Sequence, residues 1–582
     1  MYRVLAIAEI LRCIFDLLGK QSNARNALVC KAWSSIALDC AWRSVEPGVF
    51  RALCPTNIME SHNEDDTEIV TFTRTPLTRD WLSFLVNSAR VRKWHDCTFN
   101  SPYRLSRDAV SDIGITRPVA HIFPNLLDMK VGTSELEPFF MGTSVRRLAL
   151  VIRHSSDDSQ ASELRTISVL MNVADRMPQL TMLWIGYLDP DTPNYDNNIS
   201  YLLQHLPALQ KLRISALCLD AAIVSALAHH KDLHTIKINK GEPFMLYSCT
   251  QETRFMFDSS KPLPVGAFPS IRTMEFSAPN LNDAASFIFQ PEFPLYNLKR
   301  LLIHTRIVPP SEDVGRFIER LATACDALDD LTLDFHELQY RSGIQLSTTA
   351  CLEFRHIASI SLLKTLTSLI IRHPYPLDMN DDDVERLAAG FPNLEVLHLN
   401  PYPVIPTTTE VTCLALHHLA SHCPYLVNVG IYLDGNVAMT PIPILPRRLS
   451  VTLTLGHSPL PVRSDSTILH YPQIARYLGS VLSESCTWGW KNDVFVPELH
   501  NRRTWLPNVT PHHDLDGYKR GWETVAALTR MIFEDRCQMR ESGLVVAPDE
   551  ELEIWKRKFV ALETRYAEVQ ALKVLSESAE TN

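Results

Sequence analysis

A six-residue frame, aliphatic-x-x-aliphatic-x-aliphatic, recurs along most of the chain, often just after a proline or another helix breaker. Twelve copies are separated by eleven intervals over 324 residues, with a mean near 29 and a range of 19 to 38. The alternation in each frame predicts a short strand whose last two aliphatic side chains point to one face. The frames begin at Leu126, Val145, Leu180, Leu209, Leu233, Ile271, Leu298, Leu328, Leu366, Leu394, Leu426 and Ser450.

The segments between frames are predicted to be helices, as the stretch before the frame at Leu394 illustrates. There Asp381 or Asp382 can cap a helix over 384–389. Gly390 can end that helix. One strand and one helix cannot bury an apolar face alone, so the units must stack. The sequence therefore predicts an α/β fold: a leucine-rich-repeat solenoid, with a curved parallel sheet and outer helices.

An α/β enzyme, whose buried strands also alternate with helices, is the alternative to this fold. No glycine-rich phosphate loop follows any of the twelve strands. The sequence also lacks a Gly-x-Ser-x-Gly elbow, a Walker loop and a dinucleotide fingerprint. We therefore expect that the protein is not an enzyme and needs no cofactor.

One cluster of potential metal ligands precedes the strand at Leu426. Two of its histidines stand four residues apart and could share a helix face. The same helix needs Leu416, Leu419 and Cys423 for packing, so we favour a structural role and expect no metal. The cluster consists of Cys413, His417, His418, His422 and Cys423.

The pattern divides the chain into four segments. Residues 1–48 are predicted as a helical module, 49–122 as a linker with a degenerate capping repeat, and 123–456 as the solenoid. Residues 457–582 are predicted as a C-terminal cap with a terminal helix, in which tryptophans cover the open end of the repeats. The terminal helix has an apolar stripe that suits either a short coiled coil or docking on its own protein. The stripe comprises Leu552, Trp555, Phe559, Leu562, Tyr566 and Val569.

Composition limits the partners of the protein. The 582 residues carry a net charge of −10, which argues against coating nucleic acid by bulk charge. Thirteen cysteines without paired spacings indicate reduced thiols, and hence a cytoplasmic or nuclear location. No apolar run reaches the ~18 residues of a membrane span, so we expect neither a membrane nor a nucleic-acid partner.

Residues 5–42 contain three short blocks of apolar residues at helical spacing. Fewer than fifty residues bury too little surface to be stable alone, so some of these side chains should face a partner. The second and third blocks are joined by Val29-Cys30-Lys31-Ala32-Trp33, and the third ends in Trp42-Arg43. A plain helical cap on the solenoid, with Trp33 as a core anchor, is the competing interpretation.

This segment resembles the F-box, by which adaptors of SCF-type ubiquitin ligases dock the Skp adaptor protein and thereby the cullin ligase core. An F-box before irregular leucine-rich repeats is similar to the large F-box families of mushroom-forming (basidiomycete) fungi. The family usually has proline where this chain has Ala8. That loses a few tenths to ~1 kcal/mol of preorganisation and should weaken docking without abolishing it. The resemblance implies a Skp-binding face formed or supported by Ile7, Ile10, Leu11, Ile14, Leu18, Val29, Cys30 and Trp33.

The third and fifth positions of each frame are expected to point onto the concave face of the sheet. Six of these positions are basic, and all six precede residue 301. They suit an acidic or phosphorylated segment of a protein substrate. A solvated surface without a ligand is equally compatible with them. The candidate residues are Lys130, Arg147, Trp184, Lys211, Arg213, Lys237 and Arg300.

Together these features predict a substrate-recognition adaptor of an SCF-type ubiquitin ligase, in which the repeats bind a protein substrate. The alternative is a repeat-based interaction scaffold without ligase association. Only the first of these needs an exposed apolar face on the N-terminal module.

Overall fold

Two compact units make up the chain. The first is Met1–Thr273 with Gln290–Pro294, and the second is Met274–Phe289 with Leu295–Asn582. The apolar stripe predicted for the terminal helix lies outside the described residues. The structure, a computed structural model, describes residues 7–53, 63–64, 67–96, 103–133, 137–152, 159–187, 195–214, 221–238, 262–278, 280–305, 307–335, 351–435, 448–460, 467–489, 515–542 and 557.

The first unit begins with three helices and continues into strands that alternate with helices. Its helices are α1 (Ala8–Asp16), α2 (Lys20–Asn26), α3 (Lys31–Trp42), α4 (Thr78–Ser88), α5 (Arg107–Thr116), α6 (Ser159–Arg176), α7 (Asp196–Gln204) and α8 (Ala221–Ala228). Its strands are β1 (Ser44–Val45), β2 (Asn63–Glu64), β3 (Thr67–Val70), β4 (Lys93–Asp96), β5 (Tyr103–Leu105), β6 (Asp128–Gly132), β7 (Arg147–Ile152), β8 (Met182–Tyr187), β9 (Lys211–Ile214) and β10 (Thr235–Ile238).

The rest of the chain repeats the alternation of strand and helix. Its strands are β11 (Thr273–Ala278), β12 (Arg300–Thr305), β13 (Asp330–Asp334), β14 (Ser368–Arg372), β15 (Val396–Leu399), β16 (Asn428–Ile431), β17 (Thr452–Thr454) and β18 (Thr487–Trp488). Its helices are α9 (Leu281–Ile288), α10 (Ser311–Ala324), α11 (Phe354–Ile357), α12 (Asp381–Ala389), α13 (Leu414–His422), α14 (Thr467–Val481) and α15 (Leu515–Ser542).

In the part of the chain that the structure describes, fifteen strands form one sheet in the order β1-β4-β6-β7-β8-β9-β10-β11-β12-β13-β14-β15-β16-β17-β18. Neighbouring strands such as β7 and β8, or β14 and β15, pair in parallel without a shift of register. Each predicted frame begins two residues before one of these strands, from Leu126 before β6 to Ser450 before β17. The predicted α/β leucine-rich-repeat solenoid is therefore confirmed.

Alternating burial along each strand explains why the frame recurs. Leu394, Leu397 and Leu399 are buried, whereas Val396 and His398 between them are only partly buried. The buried positions are the first, fourth and sixth of the frame, and the third and fifth lie on the other face. Changing this spacing by one residue would move the aliphatic side chains to the wrong face.

The helices of the repeats are amphipathic, and α10 shows the pattern. It buries side chains at spacings of three and four residues, which place them on one face of the helix. None of the helices that the structure describes is both long and apolar enough to cross a membrane. The buried residues of α10 are Ser311, Val314, Phe317, Ile318, Leu321 and Ala322.

Helix α12 begins earlier than predicted. Its cap is Asn380, neither Asp381 nor Asp382, and the Asn380 Oδ1 atom accepts a hydrogen bond from the Asp383 amide at 3.0 Å. The Asp383 carboxylate accepts one from the Asn380 amide at 3.2 Å, which completes a capping box. Asp381 instead accepts hydrogen bonds from the amide and hydroxyl of Thr412, at 2.8 and 2.6 Å. The cap and the contact between repeats are thus made by neighbouring polar residues.

In the second unit, helix α15 contacts the segment that follows β17. Trp522 of α15 is fully buried, and its Nε1 atom donates a hydrogen bond to the Ser458 carbonyl at 2.9 Å. Helix α15 also packs on α14. Of the other tryptophans in this segment, Trp488 lies in β18, while Trp490 and Trp505 lie outside the described residues.

Two glycines with positive φ, Gly266 in the first unit and Gly456 in the second, allow a test of the packing around Gly456. A Cβ atom at Gly456 (φ 54°) would lie 1.8 Å from the Pro401 carbonyl oxygen, whereas one at Gly266 (φ 71°) would meet nothing within 4 Å. Gly266→Ala should therefore cost only the left-handed backbone strain, about 1–2 kcal/mol. Gly456→Ala adds a backbone clash and should cost at least about 3 kcal/mol. Urea unfolding measures both, and equal losses would contradict the close approach of Gly456 to Pro401.

Candidate partner-binding surfaces

The N-terminal module, α1 to α3, has a small core of its own. Leu11 and Phe15 of α1 and Ala37 of α3 are buried together. The rings of Phe15 and Trp33 meet edge to face with centroids 5.5 Å apart. Ala27, Ile36 and Cys40 pack around this core with Trp33. Few side chains hold the three helices together, so each contributes a large share of the local stability.

Asn23 locks the end of α1 to the start of α2. Its side chain is buried, and Nδ2 donates hydrogen bonds to the carbonyl oxygens of Phe15 and Leu18, at 2.8 and 3.3 Å. Phe15 lies in the last turn of α1 and Leu18 just beyond it, and the Phe15 carbonyl also accepts a hydrogen bond from the Leu18 amide at 3.1 Å. Asn23 was not among the predicted residues, because a polar residue in a short polar helix gives no sign of burial.

The module exposes a series of large apolar side chains. On α1 and just beside it, Ile7, Ile14 and Leu18 are exposed at spacings that place them on one helix face. Leu17 and Leu28 are 88% and 87% exposed, and Val29 is 62% exposed. Leu28 and Val29 occupy the short connection from α2 to α3. This exposed set is the first candidate surface.

The predicted Skp-binding residues divide between surface and core. Ile7, Ile14, Leu18, Val29 and Cys30 are exposed. Ile10 and Trp33 are partly buried, and Leu11 lies in the core, so it can only support such a surface. The most exposed apolar residues, Leu17 and Leu28, were not singled out from the sequence. The sequence did contain a sign of their exposure, because the apolar pairs at 17–18 and 28–29 stand in otherwise polar connections.

The module is fastened to the first strands of the sheet within the first unit. The ring of Trp42 lies 6.0 Å from that of Phe84 in α4. Arg90 pairs with the Asp39 carboxylate and donates to the Ser35 carbonyl at 3.1 Å. The backbone continues this link, because the Lys93 amide donates to the Arg43 carbonyl at 2.8 Å. The exposed apolar side chains therefore sit on a module attached by several contacts to the repeats of its own unit.

The second candidate surface is a row of fifth-position residues that the register aligns across β6 to β10. We call it the Trp184 row. The ammonium of Lys130 lies 5.3 Å from the centroid of the Trp184 ring, and the guanidinium of Arg213 lies 5.7 Å from it. Ala149 stands between Lys130 and Trp184, and its small side chain leaves room for that contact. The row consists of Lys130, Ala149, Trp184, Arg213 and Lys237.

The remaining predicted basic residues are distributed differently. Arg147 and Lys211 lie in the adjacent row of third positions, separated by Met182. Arg147 forms an ion pair with Asp128 at 3.0 Å. Arg300 belongs to the second unit and pairs with Asp330 at 3.1 Å. The register thus brings Lys130, Trp184, Arg213 and Lys237 together, and it places carboxylates beside both Arg147 and Arg300.

The histidines and cysteines near α13 serve packing and pairing between helices. Cys413 and Cys423 are buried, and burial raises the pKa of each thiol to about 12. His418 and His422 approach the Glu385 carboxylate of α12, at 3.6 and 3.5 Å. His417 Nδ1 has no hydrogen-bond partner. Within the described ranges, no three His, Cys, Asp or Glu residues are grouped so that they could hold a metal ion.

The parallel strand order, the twelve aligned frames and the intervening helices define a leucine-rich-repeat solenoid preceded by a three-helix module. No protein-family model and no curated protein matches the chain. It is similar to the crystal structure of the TLR13–ssRNA13 complex, with a TM-score of 0.29 and 14% identity, over 60% of this chain and 45% of that one. It is also similar to the Rad7–Elc1 complex of yeast, with a TM-score of 0.29 and 14% identity, over 56% of this chain and 83% of that one. The chain thus spans less than half the length of the TLR13 chain that it matches.

The Asn23 lock yields a prediction about the module. Asn23→Ala removes both hydrogen bonds of a buried side chain, those to the Phe15 and Leu18 carbonyls, which costs about 1–3 kcal/mol. Amide hydrogens of α1 and α2 should then exchange roughly tenfold faster or more. Ser22→Ala, an exposed change on the same helix, is the matched control and should leave exchange rates unchanged. Equal exchange in the two variants would show that Asn23 does not hold the module together.

Proposed function

We propose that the protein is a substrate-recognition adaptor of an SCF-type ubiquitin ligase. Its N-terminal module docks a Skp-type adaptor and through it the cullin core, and its repeats bind a protein substrate. The observation that carries the proposal is the exposed apolar set of the module: Ile7, Ile14, Leu17, Leu18, Leu28 and Val29.

The concentration of exposed apolar side chains on the N-terminal module supports a binding site for a partner there. Eighteen large hydrophobic side chains are exposed among the residues that the structure describes, and six of them fall between residues 7 and 29. Scattered exposed apolar residues are normal on a protein surface, but a local concentration marks an interaction site. The same segment carries the sequence that resembles the F-box, from Val29 to Trp33, and this resemblance supports a Skp-type adaptor as the partner.

The proposed role needs no chemistry from this chain. An adaptor accelerates ubiquitin transfer by holding its substrate near the charged enzyme, which is a proximity effect. The fastening of the module through Trp42–Phe84 and Arg90–Asp39 suits this role, because it fixes the docked partner relative to the first repeats. Burial also raises the pKa of the Cys325 thiol to about 12, so this thiol is a poor nucleophile.

Charged residues at the α2–α3 connection should weaken docking strongly. Leu28→Asp with Val29→Asp places two carboxylates in the proposed interface, and we expect at least about 30-fold weaker binding of a purified Skp-type adaptor by calorimetry. Both side chains are exposed, so folding should be preserved. Leu164→Asp, at a 62% exposed position of α6, is the matched control and should bind like the unchanged protein.

Two results would count against the proposal. Failure of the unchanged protein to bind the adaptor would remove the ligase role and leave a repeat-based interaction scaffold without ligase association. Equal binding by the double variant and the control would place the contact elsewhere. Trp33→Ala is less informative, because Trp33 packs on Phe15 and its loss would disturb the module core.

Ala8 offers a test in the opposite direction. It is the first residue of α1, and Ile7 before it is extended (φ −88°, ψ 115°), so proline fits at position 8 without strain. Ala8→Pro should stabilise the module by about 0.4–1 kcal/mol. If docking requires the folded α1, the affinity for the adaptor should rise by up to about two- to fivefold, and the rise is smaller the more fully α1 is already folded in the free protein. Ala8→Gly should lower it, and a loss of binding with proline would show that α1 does not start at this residue in the complex.

A further inference from the structure

The basic residues of the first unit differ in whether a carboxylate neutralises them. Arg147 has Asp128 at 3.0 Å, so its charge is locally compensated. Across the portion of the chain described, no carboxylate lies within ion-pair distance of Lys130, Lys211 or Arg213. Two of these three, Lys130 and Arg213, lie over the Trp184 ring. Positive charge is therefore left uncompensated around one aromatic side chain.

Two hydrogen-bond donors in this group also lack acceptors. Trp184 Nε1 and Arg213 Nε are shielded from solvent and have no hydrogen-bond partner. A buried donor without an acceptor is costly, and each such group in a protein calls for an explanation. Both donors belong to the stacked set Lys130, Trp184 and Arg213. An oxyanion reaches these two donors only if the side chains that cover them shift, and it would then supply acceptors to both and a counter-charge to the two cations.

Two histidines beside the row have a lowered pKa, chiefly because they are buried. Burial lowers the pKa of His95; Asp128 and Glu46 raise it, whereas Lys93 and Lys130 lower it. Burial likewise lowers the pKa of His234, to which Lys211 and Arg272 add. His95 lies beside Lys130 in the register of β4 and β6. A bound anion would oppose these effects and raise both pKa values.

We propose that Lys130, Trp184 and Arg213 form an oxyanion seat for an extended, anionic segment of a bound protein. The seat takes a carboxylate or a phosphate monoester of that segment, which accepts hydrogen bonds from Trp184 Nε1 and Arg213 and pairs with Lys130. Lys211 in the adjacent row holds further negative charge. The proposal rests on the adaptor role and names the class of its substrate.

The dimensions of the row suit a peptide rather than a small molecule. Adjacent strands lie about 4.8 Å apart, so the four strand intervals from Lys130 to Lys237 span roughly 19 Å. An extended peptide covers this distance with about six residues. The side chains of the row are only partly buried, so the surface is open to a segment lying across the strands.

Labelled octapeptides test the seat on the full-length protein by fluorescence anisotropy. Three probes share one glycine- and serine-rich sequence and differ at the centre, with serine, phosphoserine or three glutamates. We expect the two anionic probes to bind and the serine probe to bind at least tenfold more weakly. Preference between the phosphoserine and glutamate probes identifies the oxyanion. Binding should weaken as salt rises, because the site is partly exposed.

Neutral polar variants locate the site. Lys130→Gln with Arg213→Gln should weaken the anionic probes at least 30-fold. Trp184→Phe, which keeps an aromatic ring and removes the Nε1 donor, should weaken them about fivefold. Arg176→Gln removes one positive charge from the exposed end of α6 and is the matched control, with binding expected within twofold of the unchanged protein.

The outcomes separate this inference from the adaptor role. The Lys130→Gln, Arg213→Gln variant should still bind the Skp-type adaptor, and the Leu28→Asp, Val29→Asp variant should still bind the anionic probes. No binding of either anionic probe, equal binding of the serine probe, or unchanged binding by the Lys130, Arg213 variant would overturn the seat. Tighter binding of a single-stranded RNA octamer than of either peptide would overturn the choice of a protein segment.

Discussion

Alternation of side chains along very short strands governs most of what the protein presents to its surroundings. In β9, Leu212 and Ile214 are buried, so Lys211 and Arg213 must lie on the opposite face. Parallel pairing without a shift then lines up equivalent positions of successive strands. Each exposed position of a strand therefore contributes one residue to a row that runs across the strands. These rows determine the surface chemistry of the sheet in each unit, while the buried aliphatic positions repeat almost unchanged.

The repetition explains why the strands could be predicted from the sequence and why several contacts could not. Period-two burial is local, and twelve repetitions made it unmistakable. The strands β1 and β18 lack the frame and depend on pairing with β4 and β17, so no local pattern marks them. The Asn380 cap was missed because three adjacent aspartates offered equivalent caps. The contact of Lys130 with Trp184 across Ala149 requires the register, which the sequence implies only after the strands are paired.

The N-terminal module, unlike the repeats, is not stabilised by a pattern that recurs along the sequence. Its core of Leu11, Phe15 and Ala37 is too small to hold three helices securely, and the Asn23 hydrogen bonds supplement it. Contacts of Trp42 and Arg90 with the following elements add to that stability. Apolar side chains such as Leu28 and Val29 are left out of the core. Exposed apolar side chains lower solubility and do not stabilise the fold. Their presence is explained if a partner covers them.

Charge compensation distinguishes the two kinds of basic residue on the sheet. An arginine beside an aspartate on the next strand, as in Arg147–Asp128 and Arg300–Asp330, contributes little to the field beyond the pair. Lys130 and Arg213 meet an aromatic ring instead, which holds the cations in place without neutralising them. The chain as a whole carries a net charge of −10, so its overall field disfavours the approach of an acidic segment. A local positive site on an otherwise negative molecule both attracts such a segment and restricts it to one place, so the compensated arginines contribute to specificity by being electrostatically silent.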